Sequence, residues 1–308
     1  MAGLLIPLLL VALALPLPRA PQDASPGRPA LMLDFVATDR NGAPVTDLKP
    51  ADFEVWIGHF RTPIERLAYV GTDTDGAPGR LIVLLLDDLT LPQADVPRAK
   101  IPARRLITHM LPGDQMAIVM YSGTSMEPTD DHAKLLSAID AYNIRASGVT
   151  RPDIYGEDVL KNVAALSQQL REGRAGRKTI VGIGSGMLLD RPIPPPSAGR
   201  DFTSEWTEAM RELAFAHASY YVIDPRGVGA TRGAFTGEDG FARATGGRAF
   251  LSTNDLELAA DTILHESTNY YVVQVPDPPN SGGKGSLRPL EFKMLRRGVT
   301  VRARMAIP

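Results

Sequence analysis

The sequence predicts an α/β fold in which a doubly wound, mostly parallel sheet is set into a β-sandwich built by the two ends of the chain. Three observations carry this expectation. Leu81-Ile82-Val83-Leu84-Leu85-Leu86 is a short unbroken apolar run, the pattern of a central parallel strand covered on both faces. From residue 80 to 266, strand-like runs of this kind alternate with helical stretches, the order of an open α/β sheet. The flanking segments 31–70 and 269–308 read as strands alone. Neither can bury its own apolar face, so the two are expected to pack on each other.

Each element has its own signal. Leu31 to Ala37 is the first strand, ended by the turn Asp39-Arg40-Asn41-Gly42. Phe53 to Ile57 is a second, Gly58-His59 a turn, and Ile64 to Val70 a third. Residues 71–80, rich in Gly, Asp and Pro, form a linker into the apolar strand that ends at Asp87-Asp88. A helix follows from Arg98 to Met110, then a strand from Gln115 to Tyr121. Asp131 to Tyr142 reads as a helix capped by Thr129 or Asp130. Gly156 to Arg171 is another, with Val159, Val163, Leu166 and Leu170 on a helical period. Thr179 to Gly184 is a strand, 190–199 a Pro-rich loop, and Ser204 to Ala218 a helix. The strand Tyr220 to Asp224, a Gly-rich loop, a helix near 237–245, a strand at 248–250 and a helix at 254–266 complete the alternation. The end returns to strands at Asn269 to Val275, Leu287 to Leu295 and Val299 to Ile307.

Composition narrows the chemistry. The chain has 308 residues, no cysteine and a formal charge of −2. Disulfide scaffolds, thiol nucleophiles and cysteine-ligated metals are excluded, and no global charge favours nucleic acid. Leu4 to Leu17 is apolar apart from Pro7 and Pro16, and shorter than the ~20 residues that a spanning helix needs. Residues 1–24 therefore read as a signal peptide, and the mature protein as secreted or periplasmic with no integral span after cleavage. A retained anchor and an ordinary cytosolic N-terminal helix are the alternatives.

In order along the chain, the landmarks are Asn41-Gly42 before Leu48-Lys49-Pro50-Ala51-Asp52-Phe53-Glu54-Val55, the strand into Asp87-Asp88, and Gly176-Arg177-Lys178-Thr179. Tyr221-Val222-Ile223-Asp224-Pro225-Arg226-Gly227, Ala244-Thr245-Gly246-Gly247-Arg248-Ala249-Phe250 and Tyr270-Tyr271-Val272-Val273 follow. In this order the chain resembles the von Willebrand factor type A-related proteins of the Acidobacteria type, over nearly all of residues 31–308. The resemblance implies a Rossmann-like type A domain at 80–266 between sandwich halves at 31–70 and 269–308. It implies protein or matrix binding outside the cytoplasm, and no catalytic reaction. It further implies a divalent ion at the C-terminal edge of the sheet, bridging to an acidic group on the partner.

That ion's site is only partly present. The family pattern Asp-x-Ser-x-Ser reads here Asp87-Asp88-Leu89-Thr90-Leu91, so leucines replace both serines. Asp88 or Thr90 could compensate through a shifted loop. Thr150, in Ser147-Gly148-Val149-Thr150, is the candidate for the family threonine. Ser185-Gly186 stands where Asp-Gly is the pattern, with Asp190 five residues on. The candidate metal ligands are thus Asp87, Asp88, Thr90, Thr150 and Ser185. No cofactor is assigned outright, and Mg²⁺ is the ion an all-oxygen set would take. Two adjacent acids at a strand end equally suit a helix N-terminus or a solvent-facing loop, with no ligand.

Other chemistries fit less well. Gly182-Ile183-Gly184-Ser185-Gly186 is not a nucleophile elbow, because Ser185 directly follows Gly184. A phosphate-binding glycine loop is missing after the first apolar strand. None of the five histidines forms a tight ligand pair, and His109, His217 and His265 fall late in helices, where capping suits them. Near the C-terminus, Lys284, Arg288, Lys293, Arg296, Arg297, Arg302 and Arg304 stand against Glu291. Their alternation reads as a solvated sandwich face, with contact to an anionic surface or polymer as the alternative. The expectation is an exported, non-enzymatic module that binds a protein or an extracellular or envelope ligand, and no nucleic acid. Its working rim would be Asp87 to Thr90, Ser122 to Thr124, Ser147 to Thr150, Ser185-Gly186 and Asp224 to Gly229. Cation-dependent binding through Asp87 and a purely structural role are the alternatives.

Overall fold

The computed structural model describes residues 30–72, 79–145, 152–172, 177–185, 203–229, 236–278 and 286–307. The leader, the centre of the 71–80 linker, Ser147 to Thr150, Gly186, Asp190 and the Pro-rich loop lie outside the described residues.

Four strands come first: β1 (Ala30–Thr38), β2 (Phe53–Ile57), β3 (Phe60–Thr62) and β4 (Arg66–Val70). Then follow β5 (Leu81–Leu86), α1 (Val96–Thr108), β6 (Gln115–Met120), β7 (Ser125–Thr129), α2 (His132–Ala141), α3 (Pro152–Glu172) and β8 (Lys178–Ile183). The alternation ends with α4 (Thr203–Ala216), β9 (Ala218–Ile223), α5 (Thr236–Ala244), β10 (Ala249–Phe250) and α6 (Leu256–Thr268). Last are β11 (Tyr270–Pro276), β12 (Arg288–Met294), β13 (Thr300–Ala303) and β14 (Ala306–Ile307). Asp131 caps α2 by accepting from Lys134 N, one residue past the expected caps. Two strands were not anticipated: three-residue β3, and β7, whose Pro128 suits the edge position it occupies.

The central sheet has the order β10-β9-β8-β5-β6-β7, with every pairing parallel except β6 to β7. Its middle strand shows why an unbroken apolar run is needed. Ile82, Leu84 and Leu86 enter a core with α1, α2 and α6, while Leu81, Val83 and Leu85 enter a second core with α3, α4 and α5. A polar residue on either face of β5 would be buried without a partner.

The chain ends build two antiparallel sheets, β13-β1-β11-β4 and β14-β12-β2-β3. They share one core in which Phe35 stacks on Tyr271 at 5.1 Å and meets Phe53 edge-on at 5.2 Å. The Tyr271 hydroxyl accepts from Leu48 N at 2.9 Å, satisfying a buried donor across that core. Val70 and Tyr270 stand opposite each other in the β4–β11 ladder, so the chain leaves this part and returns to it at adjacent positions.

Charged residues line the junction between the two-sheet part and the central sheet. Asp34 on β1 takes ion pairs from Arg177 at 3.0 Å and Arg304 at 3.3 Å. Glu266 on α6 pairs with Arg302 and accepts from the Tyr221 hydroxyl at 3.2 Å. The expectation of a solvated arginine face is therefore corrected for this strand: Arg304 is 3 % exposed and Arg302 is paired at the junction. Their acids come from β1 and α6, which local alternation does not register.

Candidate functional site

Parallel strands deliver their C-terminal ends to one edge, so β5, β6, β8 and β9 bring Asp87, Ser122, Ser185 and Asp224 to a common rim. Gly184 permits the close approach of β8 to β5, since a Cβ there would sit 2.4 Å from the Asp87 Cβ.

Asp87 is completely buried and organises the first loop. Its Oδ1 accepts from Leu89 N at 3.1 Å and Thr90 N at 2.7 Å. Its Oδ2 accepts from Thr90 Oγ1 at 2.7 Å, Ser185 N at 3.2 Å and Ser185 Oγ at 3.0 Å. The Tyr142 hydroxyl donates to the Asp87 carbonyl at 2.6 Å. Burial pushes the Tyr142 phenol far above its usual range, and the nearby Asp87 and Asp88 charges push it further, so it remains a donor.

The other two rim acids are also taken. Asp88 accepts from Ser122 N at 3.0 Å and Ser122 Oγ at 2.6 Å, with Arg145 Nε at 3.5 Å. Arg145 additionally donates its backbone N–H to the Asp88 carbonyl and its guanidinium to Thr124 Oγ1. Asp224 is gripped by Arg226, whose Nε lies 3.0 Å from Oδ1. The same guanidinium donates to the Ser185 carbonyl at 2.9 Å, tying the ends of β8 and β9 together. Arg98 on α1 donates to the Pro225 carbonyl at 2.6 Å and closes the rim from the side.

Of the five sequence-derived ligand candidates, the structure brings Asp87, Thr90 and Ser185 together. Asp88 is adjacent but turned towards Ser122, and Thr150 lies outside the described residues. Asp87 Oδ2, Thr90 Oγ1 and Ser185 Oγ form a triangle with sides of 2.7, 2.9 and 3.0 Å. Neighbouring corners of an Mg²⁺ octahedron with ~2.1 Å bonds have similar spacing. The charge fits a resident dication poorly. One carboxylate faces the triangle, both of its oxygens already accept several donors, and Arg226 brings a positive charge to Ser185. Among the described residues, no three His, Cys, Asp or Glu side chains cluster as metal ligands.

Sequence reading missed Arg145 and Tyr142 as parts of this rim, and it included Arg226 within Asp224 to Gly229 without its grip on Asp224. A signal for Arg226 existed: Asp224-Pro225-Arg226 at a strand end allows an Asx turn whose i+2 arginine folds back onto the acid, as Arg226 N does on Oδ1 at 3.0 Å. Arg145 and Tyr142 come from the end of α2, and nothing local ties them to Asp87 or Asp88.

No protein-family model matches the chain, and no curated protein matches it. Among the described residues, no helix is long and apolar enough to cross a membrane. Solved structures give weak likenesses. An aerotolerance-related membrane protein from Bacteroides fragilis is 14% identical over 61% of this chain and 98% of its own, at TM-score 0.42. The human COPII-coat protein Sec24c is 8% identical over 78% of this chain and 46% of its own, at TM-score 0.39. The PilB minor pilin from Streptococcus sanguinis is 12% identical over 62% of this chain and 61% of its own, at TM-score 0.39. What the chain itself displays is a mixed α/β molecule with a six-stranded, mostly parallel sheet and two antiparallel sheets.

Proposed function

We propose that this protein is an exported, non-enzymatic binding module whose rim docks a protein or envelope ligand directly, without a resident metal ion. One observation supports this above the others: Asp87, Asp88 and Asp224 are each filled by donors of the chain itself. A rim built this way turns outward Val228, Thr124 and the exposed side of Arg145. Such a mixed apolar and basic surface suits a partner with apolar and acidic groups. Ser185 Oγ is held by Asp87 and Thr90 and not by an imidazole, which weighs against a serine nucleophile.

A test compares capture of envelope proteins by the wild type, Val228→Asp and Arg145→Glu. Leu111→Asp, exposed at the opposite edge of the sheet, serves as the control. The reading expects the two rim variants to lose a partner that the control retains, with no effect of a chelator. Equal capture by all four proteins overturns it.

The oxygen triangle favours a second reading, in which Mg²⁺ bridges Asp87 to a partner carboxylate. Calorimetric titration of Mg²⁺ or Mn²⁺ into the free protein separates the two. Heat saturating at millimolar ion and lost in Asp87→Asn selects the cation-dependent version.

A further inference from the structure

Away from the rim, the junction between the antiparallel sheets and the central sheet gathers more positive charge than it neutralises. Arg177 and Arg304 share the carboxylate of Asp34, at 3.0 and 3.3 Å. Lys178 reaches the same place from β8, donating to the Ala216 carbonyl at 3.3 Å, while Arg304 donates to the Ala214 carbonyl at 3.4 Å. These carbonyls belong to the C-terminus of α4, which supplies roughly half a negative charge. With Arg302 and Glu266 of the same junction included, four cations thus face two carboxylates and one helix end. Arg177, Lys178 and Arg304 are each less than a tenth exposed, so water does little to screen the excess.

The donor count repeats the imbalance. Arg177 Nε, Arg302 Nε and Arg304 Nε are buried and have no hydrogen-bond acceptor among the described residues. Arg304 also lines a cavity of about 40 Å³, together with Met210, Ala214, Ala244, Thr245 and Leu287. A water needs roughly 10–15 Å³ of such space, so the cavity has room for a halide, and its mostly apolar wall disfavours a strongly hydrated divalent oxyanion. Thr245 Oγ1, the other polar group of the wall, already donates to Phe241 O and accepts from Tyr220 N.

We propose that this junction binds a small monovalent anion of the halide class beside Arg304, where it completes the charge balance between the two parts of the chain. The ligand is defined by size and charge: it supplies one negative charge, accepts N–H donors and tolerates apolar walls.

The test uses the full chain in sodium gluconate at constant ionic strength, with chloride or bromide replacing gluconate stepwise. Above its dissociation constant, each tenfold rise in halide is expected to raise Tm by roughly 2–4 °C, whereas sulfate gives no such rise. Bromide-soaked crystals are expected to show an anomalous peak beside Arg304. Arg304→Gln should abolish the halide dependence. Because that variant also breaks the pair with Asp34, Ala244→Val serves as a second: it fills the cavity while leaving every ion pair in place, and should also remove the dependence. A halide-independent Tm in the wild type with no bromide peak overturns the proposal and leaves the cavity to water. So does a halide effect that Ala244→Val retains in full.

Discussion

Two acids carry the heaviest duties at the scale of single residues. Asp87 holds five donors from three residues without a cation in contact, so its removal strands buried N–H and O–H groups. Asp87→Ala should therefore cost about 2–5 kcal/mol in chemical denaturation, and chelator should leave that difference unchanged. A cost that appears only when divalent ion is supplied would instead identify Asp87 as a ligand first and a structural residue second. Asp34 gives a pH signature. Burial pushes its carboxyl up, but the charges of Arg177 and Arg304 and the Arg304 hydrogen bond outweigh burial and hold it below the ordinary value; His217 acts weakly the same way. A lowered folded value means the unfolded chain takes up the proton first. The contribution is therefore complete above about pH 4 and is lost as pH falls further, through the folded value. Asp34→Asn should remove this acid-side slope and cost about 3–5 kcal/mol at neutral pH, both measurable from urea titrations across pH.

At the scale of elements, much of the fold could be read from the sequence, and the exceptions have physical causes. β5 was readable because two cores take alternate residues of one strand, leaving no polar position. β3 and β7 were not, because a three-residue strand and an edge strand carrying Pro128 bury too little to leave a pattern. The arginines of 302 and 304 misled for a different reason. Alternation reports which side chains share a face, whereas the character of that face depends on partners such as Asp34, at the far end of the chain. The same limit applied at the rim. Asp87, Thr90 and Ser185 could be assembled from strand ends and Arg226 placed within its loop, while Arg145, which brings its charge to Asp88, could not. The tight fit of β8 against β5 carries its own prediction: Gly184→Ala drives a methyl into the Asp87 Cβ and should destabilise by about 1–3 kcal/mol. Backbone amide shifts should change at Leu89, Thr90 and Ser185 before they change at the other end of β8.

At the scale of the whole molecule, the antiparallel sheets exist only as a joint product of both chain ends. β1 pairs with β11 and β13, β2 with β12, and Phe35 meets Phe53, Tyr271 and Phe292 in one aromatic group. Truncation before residue 286 removes β12, β13 and β14, uncovering β2 and taking Leu290, Phe292 and Ile307 out of that core. The truncated chain should lose amide protection throughout β1 and β2 while β5 stays protected; unchanged protection in β2 would mean that its pairing with β12 is dispensable. Phe35→Ala offers a gentler version, with an expected cost of about 3–5 kcal/mol.

The placement of Val70 opposite Tyr270 makes everything between them, topologically, the loop of one very long β-hairpin. A two-residue Asn-Gly turn can close antiparallel strands at such a pair. The antiparallel part of the gene could therefore be written as one short reading frame, its central portion excised like a cassette. Excision would strip Arg177 and Glu266 from their partners on β1 and β13, so the short frame would also need neutral residues in place of Asp34, Arg302 and Arg304.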